Sequence, residues 1–201
     1  MTENIVLGID PGTGRTGWGI VRSKTSATGV IFEYIAHGCI STDHDHLMQN
    51  RLLVLHAEIN SLIEQFKPQT VIIEQIFFGR NMKTAISVSQ ARGVVMLSAA
   101  KFNLPIFEYT PSTVKLNLTG SGKAEKKEIQ QIVRKLLNTN SRKLAFNGKK
   151  DKDFDDSADA LAIAMHHAFK ISGTHMPPPN NGKNKVKVKV KKVVKSRKKL
   201  S

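Results

Sequence analysis

The stretch Ile5-Val6-Leu7-Gly8-Ile9-Asp10-Pro11-Gly12 constrains the fold of this chain more than any other. Its apolar run shows no polar alternation, which predicts a strand buried on both faces. Pro11-Gly12 then turns the chain, because Pro fixes φ and Gly tolerates positive φ. Asp10 is thereby placed at the end of a central strand, where open α/β sheets gather their chemistry. Thr70-Val71-Ile72-Ile73-Glu74 repeats the arrangement: an apolar run delivers a carboxylate. A third acidic group, Asp155-Asp156-Ser157-Ala158-Asp159, opens a late helix. There the three-residue spacing puts Asp156 and Asp159 on one face, and Asp155 is placed to cap the start.

Between these points the chain reads as an ordered series. Thr16 to Val21 is a second strand, with Gly12, Gly14, Gly17 and Gly19 making a tight connection. Val30 to Gly38 is a third, and the short spacings favour an antiparallel meander. Leu47 to Phe66 is helical, with Leu52, Leu55, Ile59, Leu62, Ile63 and Phe66 at three-four spacing. The helical crossover into the strand from Val71 to Ile76 predicts parallel pairing with the first strand. Asn81 to Phe102 is a second helix, and Gly93 inside it suggests close approach by another helix. Pro105 to Tyr109 is a short fifth strand, and Thr110-Pro111 caps the next helix. Lys126 to Leu137 is a further helix, 138–153 a polar loop, and Asp156 to Ile171 the last helix. Three antiparallel strands, then alternating helices and parallel strands, is the order of a ribonuclease H-like α/β fold. Residues 1–172 form the folded domain, and 173–201 a Pro/Asn-rich linker with a basic, disordered tail.

Charge narrows the partner. The net charge is +15, yet the nine Lys and one Arg between Lys183 and Ser201 account for most of it, leaving a body of about +5. A basic tail on a mildly basic body calls for a polyanion, nucleic acid before an anionic membrane. The single cysteine, Cys39, excludes an intrachain disulfide and a cysteine metal cage. With no signal peptide at Met1-Thr2-Glu3-Asn4 and no apolar run near 20 residues, a cytoplasmic protein is expected.

Each acid alone has an ordinary explanation. Asp10 suits a turn, Glu74 a solvated strand end, Asp156 a helix cap and Asp159 an exposed helical face. Their joint placement on one topology is what makes chemistry. Converging carboxylates repel and raise one another's pKa values unless cations lie between them. An all-oxygen donor set favours Mg²⁺ or Mn²⁺, and two such ions activate a water and stabilise a leaving oxygen in phosphodiester hydrolysis.

Five motifs in order carry a family resemblance over about Asn4 to Ile171. They are Gly8-Ile9-Asp10-Pro11-Gly12 with Thr16-Gly17, Ile73-Glu74-Gln75, Ser89-Gln90-Ala91-Arg92-Gly93-Val94, Ala124-Glu125-Lys126-Lys127, and Asp156 to Ala164. The chain resembles the RuvC family of Holliday junction resolvases, the crossover junction endodeoxyribonucleases. The resemblance implies Asp10, Glu74, Asp156 and Asp159 as catalytic metal ligands for two Mg²⁺, with Mn²⁺ able to substitute. It also implies a homodimer, which matches the approximate two-fold symmetry of a four-way junction. The products implied are a 3′-hydroxyl and a 5′-phosphate, and the partners RuvA and RuvB. Phe77 matches an aromatic position that stacks on or wedges between bases, with Phe78 beside it. Arg80 and Lys83 are placed to meet phosphates, as are Lys115 and Lys126, which match basic positions near the cleft. Gln90 and Arg92 are read as supports of a helix interface, and His166 and His167 as surface or packing residues.

Other functions share parts of the pattern. A ribonuclease H cutting RNA–DNA hybrids uses the same acids. An inactive DNA-binding scaffold would need none of them. An ATP-handling relative of actin, Hsp70 and the sugar kinases needs a second similar domain, for which about 170 structured residues leave no room.

Overall fold

The computed structural model describes residues 2–26, 29–75, 82–137 and 152–173. Its strands are β1 (Thr2–Asp10), β2 (Arg15–Ser26), β3 (Gly29–Ser41), β4 (Thr70–Glu74) and β5 (Ile106–Tyr109). Its helices are α1 (Met48–Phe66), α2 (Met82–Lys101), α3 (Pro111–Thr119), α4 (Lys126–Leu136) and α5 (Lys152–Ile171). The strands form one sheet in the order β3-β2-β1-β4-β5. The β1–β2 and β2–β3 pairs are antiparallel, and β4 is parallel to both β1 and β5.

Strand alternation divides the core into two layers. Val6, Val21 and Ile72 pack with α3, α4 and α5 on one face. Leu7, Ile9, Ile20, Val71 and Ile73 pack with α1 and α2 on the other. With both faces covered, Ile5 to Ile9 of β1 and Val71 to Ile73 of β4 are runs without a polar side chain, which is why no alternation shows there. The β1–β4 register pairs Ile9 with Ile73. The next residue on each strand is Asp10 and Glu74, so two carboxylates leave the sheet together.

Glycines let α5 lie close against the sheet. A Cβ on Gly8 would stand 2.0 Å from the Ala160 carbonyl oxygen, and one on Gly17 the same distance from that of Asp156. Gly17 and Gly19 therefore serve helix packing from within β2, and do not tighten the β1–β2 connection as their spacing suggested. The turn itself is closed by Thr16: its hydroxyl donates to the Gly12 carbonyl at 2.6 Å and accepts from the Gly12 N–H at 3.3 Å.

Two further expectations are corrected. The last helix begins at Lys152, so Asp156 and Asp159 lie inside it, and Asp155 is no cap but accepts from Gln130 Nε2 at 3.0 Å. The extra turn is held by Phe154, a buried ring with the Arg134 guanidinium 4.1 Å from its centroid and the His37 ring edge-on at 5.6 Å. Gly93 meets no other helix among the described residues, since a Cβ there would find nothing within 4 Å. Of the described helices, none is long and apolar enough to cross a membrane.

Candidate active site

The acids meet at the end of the sheet where β1 and β4 finish. Asp10 and Glu74 are both partly buried and hydrogen-bonded to each other. Burial is the main force on both, because each charge loses water. It raises Asp10, with the charge of Asp159 adding to it and the Glu74 hydrogen bond opposing. It pushes Glu74 up to about 9, helped by the charge of Asp10 and then by the hydrogen bond between them. The two carboxylates therefore disfavour being charged together.

Helix α5 brings the other two carboxylates, each with its own cation. Lys126 Nζ, from the first turn of α4, lies 3.6 Å from Asp159 Oδ2. Arg15, at the start of β2, donates to Asp156 Oδ2 from Nε at 2.9 Å and from Nη2 at 2.5 Å. Lys115 of α3 lines the small cleft between Glu74 and Asp159 and opposes the rise of the Glu74 pKa. Four acids and three bases thus share one polar edge. Asp156 and Asp159 each face a base, whereas Asp10 and Glu74 face each other. The one compact trio of metal-type ligands among the described residues is elsewhere, at the exposed Asp43, His44 and Asp45 on the loop after β3.

The structure brings together all four acids, Lys115 and Lys126. Phe77, Phe78 and Arg80 lie outside the described residues. Lys83 falls in the first turn of α2, and its side chain is likewise outside them. Arg92 forms an ion pair with Glu108 and so ties α2 to β5. His166 and His167 are packing residues and fully buried: Tyr109 Oη lies 2.9 Å from His167 Nδ1, and Asn117 Nδ2 lies 3.1 Å from His166 Nδ1. Arg15 was missed by sequence reading. The signal was its place three residues after Gly12, which a tight turn returns to the site.

Carboxylates gathered where the two central parallel strands of a mixed sheet end, under a helix that adds two more, define a nuclease of the ribonuclease H-like fold. Within that class the chain belongs to the RuvC family, whose model, described as crossover junction endodeoxyribonuclease RuvC, matches residues 6–167. It is 44% identical over 163 residues to the Pseudothermotoga lettingae crossover junction endodeoxyribonuclease RuvC, covering 81% of this chain and 93% of that one. Against the Rubrobacter xylanophilus protein of the same name it is 42% identical, over 84% of this chain and 87% of that one. Among solved structures it is similar to Thermus thermophilus RuvC in complex with a Holliday junction substrate, with TM-score 0.72 and 31% identity. That match covers 87% of this chain and 99% of that chain.

Proposed function

We propose that this chain resolves four-way DNA junctions by paired hydrolytic nicks, as a homodimer with two Mg²⁺ at Asp10, Glu74, Asp156 and Asp159. The observation that carries this reading is the Asp10–Glu74 pair. Two partly buried carboxylates side by side at the ends of β1 and β4, with Asp159 and Asp156 nearby, form a site short of positive charge, and a divalent cation is the natural supply of it. The donor set fits, being oxygen only and set on rigid strand ends and a helix. When bound, Mg²⁺ or Mn²⁺ supplies activation of the attacking water and stabilisation of the leaving oxygen.

The chain's own residues do the rest. Lys115 and Lys126 border the cleft, hold the scissile strand and offset charge that grows on the phosphate. Of Phe77 and Phe78, three and four residues past Glu74, one contacts an unstacked base, Phe77 being the one that matches the family position, and the other belongs to the core, while Arg80 and Lys83 take phosphates. The basic tail adds salt-dependent affinity.

The homodimer reading has support on α2. Ile86 and Leu97, 59% and 63% exposed, lie in one stripe with Gln90 and the open Gly93. An apolar stripe with a glycine lets a second copy of the helix approach closely. RuvA and RuvB are the partners implied by family, and the cytoplasm, where bacterial DNA lies, the place of action.

The test is a synthetic four-way junction beside a duplex and an RNA–DNA hybrid, each with Mg²⁺ or with chelator. Symmetrical Mg²⁺-dependent nicks in the junction alone are expected. Cleavage of the hybrid instead would move the function to ribonuclease H.

A further inference from the structure

Arg15 joins three elements at the border of the site. Its Nε and Nη2 both donate to Asp156 Oδ2 on α5, while Nη1 reaches Ser41 Oγ at the end of β3, 3.3 Å away. The guanidinium thus spends two donors on one oxygen, and Asp156 Oδ1 has no hydrogen-bond partner among the described residues. The pairing is tighter than that of Lys126 with Asp159, and the Arg15 side chain is still 48% exposed. It is therefore within reach of anything that docks on the acidic edge.

We infer that Arg15 is a positioning residue that links substrate binding to metal binding. It holds Asp156 as an internal counter-ion, and transfers to a backbone phosphate when DNA arrives. This rests on the reading that Asp156 is a metal ligand. The physical reason is competition. A guanidinium and a divalent cation that share one carboxylate repel each other, so Arg15 lowers the affinity of that position for metal. A phosphate offers the planar fork an equally good bidentate acceptor. Once Arg15 turns to it, Asp156 is left to the ion. Metal and DNA then favour each other's binding, by the same factor in both directions. Such coupling keeps the hydrolytic site weakly loaded until a strand lies across it.

The test uses the full chain and Mn²⁺ without DNA, following the free Mn²⁺ signal by electron paramagnetic resonance. Asp10→Asn identifies binding at this site, by loss. Arg15→Gln is expected to tighten Mn²⁺ binding about tenfold, since a unit charge about 6 Å from a divalent ion costs that much even at the dielectric constant of water. Arg15→Lys, which keeps the charge, is expected to bind Mn²⁺ within about twofold of wild type and shows whether the position tolerates change. Arg22→Gln removes the same charge from a residue held by Glu3 and Glu33, about 23 Å further along β2, and should change nothing. In chelator, Arg15→Gln should bind a four-way junction about threefold more weakly than Arg22→Gln does. Wild-type Mn²⁺ binding that Arg15→Gln leaves equal or weakens would overturn the role of Arg15 alone. Absence of Mn²⁺ binding in wild type would overturn the metal reading, and this inference with it.

Discussion

The backbone carbonyl of Asp156 lies against Gly17, 2.0 Å from where a Cβ on that residue would stand. The acid-bearing turn of α5 therefore rests directly on the floor of β2. Gly17→Ala cannot be accommodated by a rotamer change, because the obstructing atom is backbone. The helix must lift, and overpacking of this kind costs about 1–3 kcal/mol or more. We expect a lower melting temperature together with loss of cleavage, since the same shift moves Asp156. Thermal denaturation and junction nicking measured side by side check both.

Asp10→Asn keeps shape and hydrogen bonding to Glu74 while removing one of the charges that a metal would use. Cleavage should fall at least about 10²–10³-fold, the scale for losing one preorganised electrostatic group. Junction binding in chelator should stay within about twofold. Loss of binding as well would make Asp10 a structural residue.

The pair His166 and His167 gives the fold a pH dependence of its own. Burial, and the nearby Lys170, hold each down to about 4 from an ordinary 6.5, with the charge of His167 a further cause at His166. The folded state thus prefers both rings neutral. Their stabilisation is complete above about pH 6.5, and falls away as pH drops towards 4, because the unfolded chain takes up protons first. Between pH 7 and 5, urea denaturation should show a loss of about 3–4 kcal/mol in wild type that a His166→Asn/His167→Gln variant lacks. Equal losses in the two proteins would assign the dependence to other groups.

Leu97→Asp places a charge at the C-terminal end of the exposed α2 stripe. Sedimentation should show wild type as a dimer at micromolar concentration and the variant as a monomer with an unchanged melting temperature. A dimeric variant would move the interface away from α2.

Removing residues 183–201 deletes ten positive charges and no negative ones. Junction affinity should fall and its logarithmic salt dependence should flatten by about 3 or more, at roughly 0.9 for each phosphate that the tail neutralises. An unchanged slope would leave the tail no part in binding DNA.

Much of this protein is written locally. The unbroken apolar runs ending in Asp10 and Glu74 announce buried strands, and the spacing of Asp156 and Asp159 announces a shared helix face, because strand and helix periods act over a few residues. Strand order followed from short connections and a helical crossover, which are also near-neighbour signals. What lay beyond reach needed atoms distant in sequence. That burial pushes up the pKa values of Glu74 and Asp10 depends on how much water the folded sheet removes from them. That Gly17 serves α5, and that Phe154 draws the helix back to Lys152, depends on packing between segments far apart in the chain. The same is true of Arg15, a polar residue after a turn in sequence and the counter-ion of Asp156 in space. Sequence by itself determined which groups stand at strand and helix ends; tertiary structure decided which charges face one another, because electrostatic and steric contacts follow distance in space rather than separation along the chain.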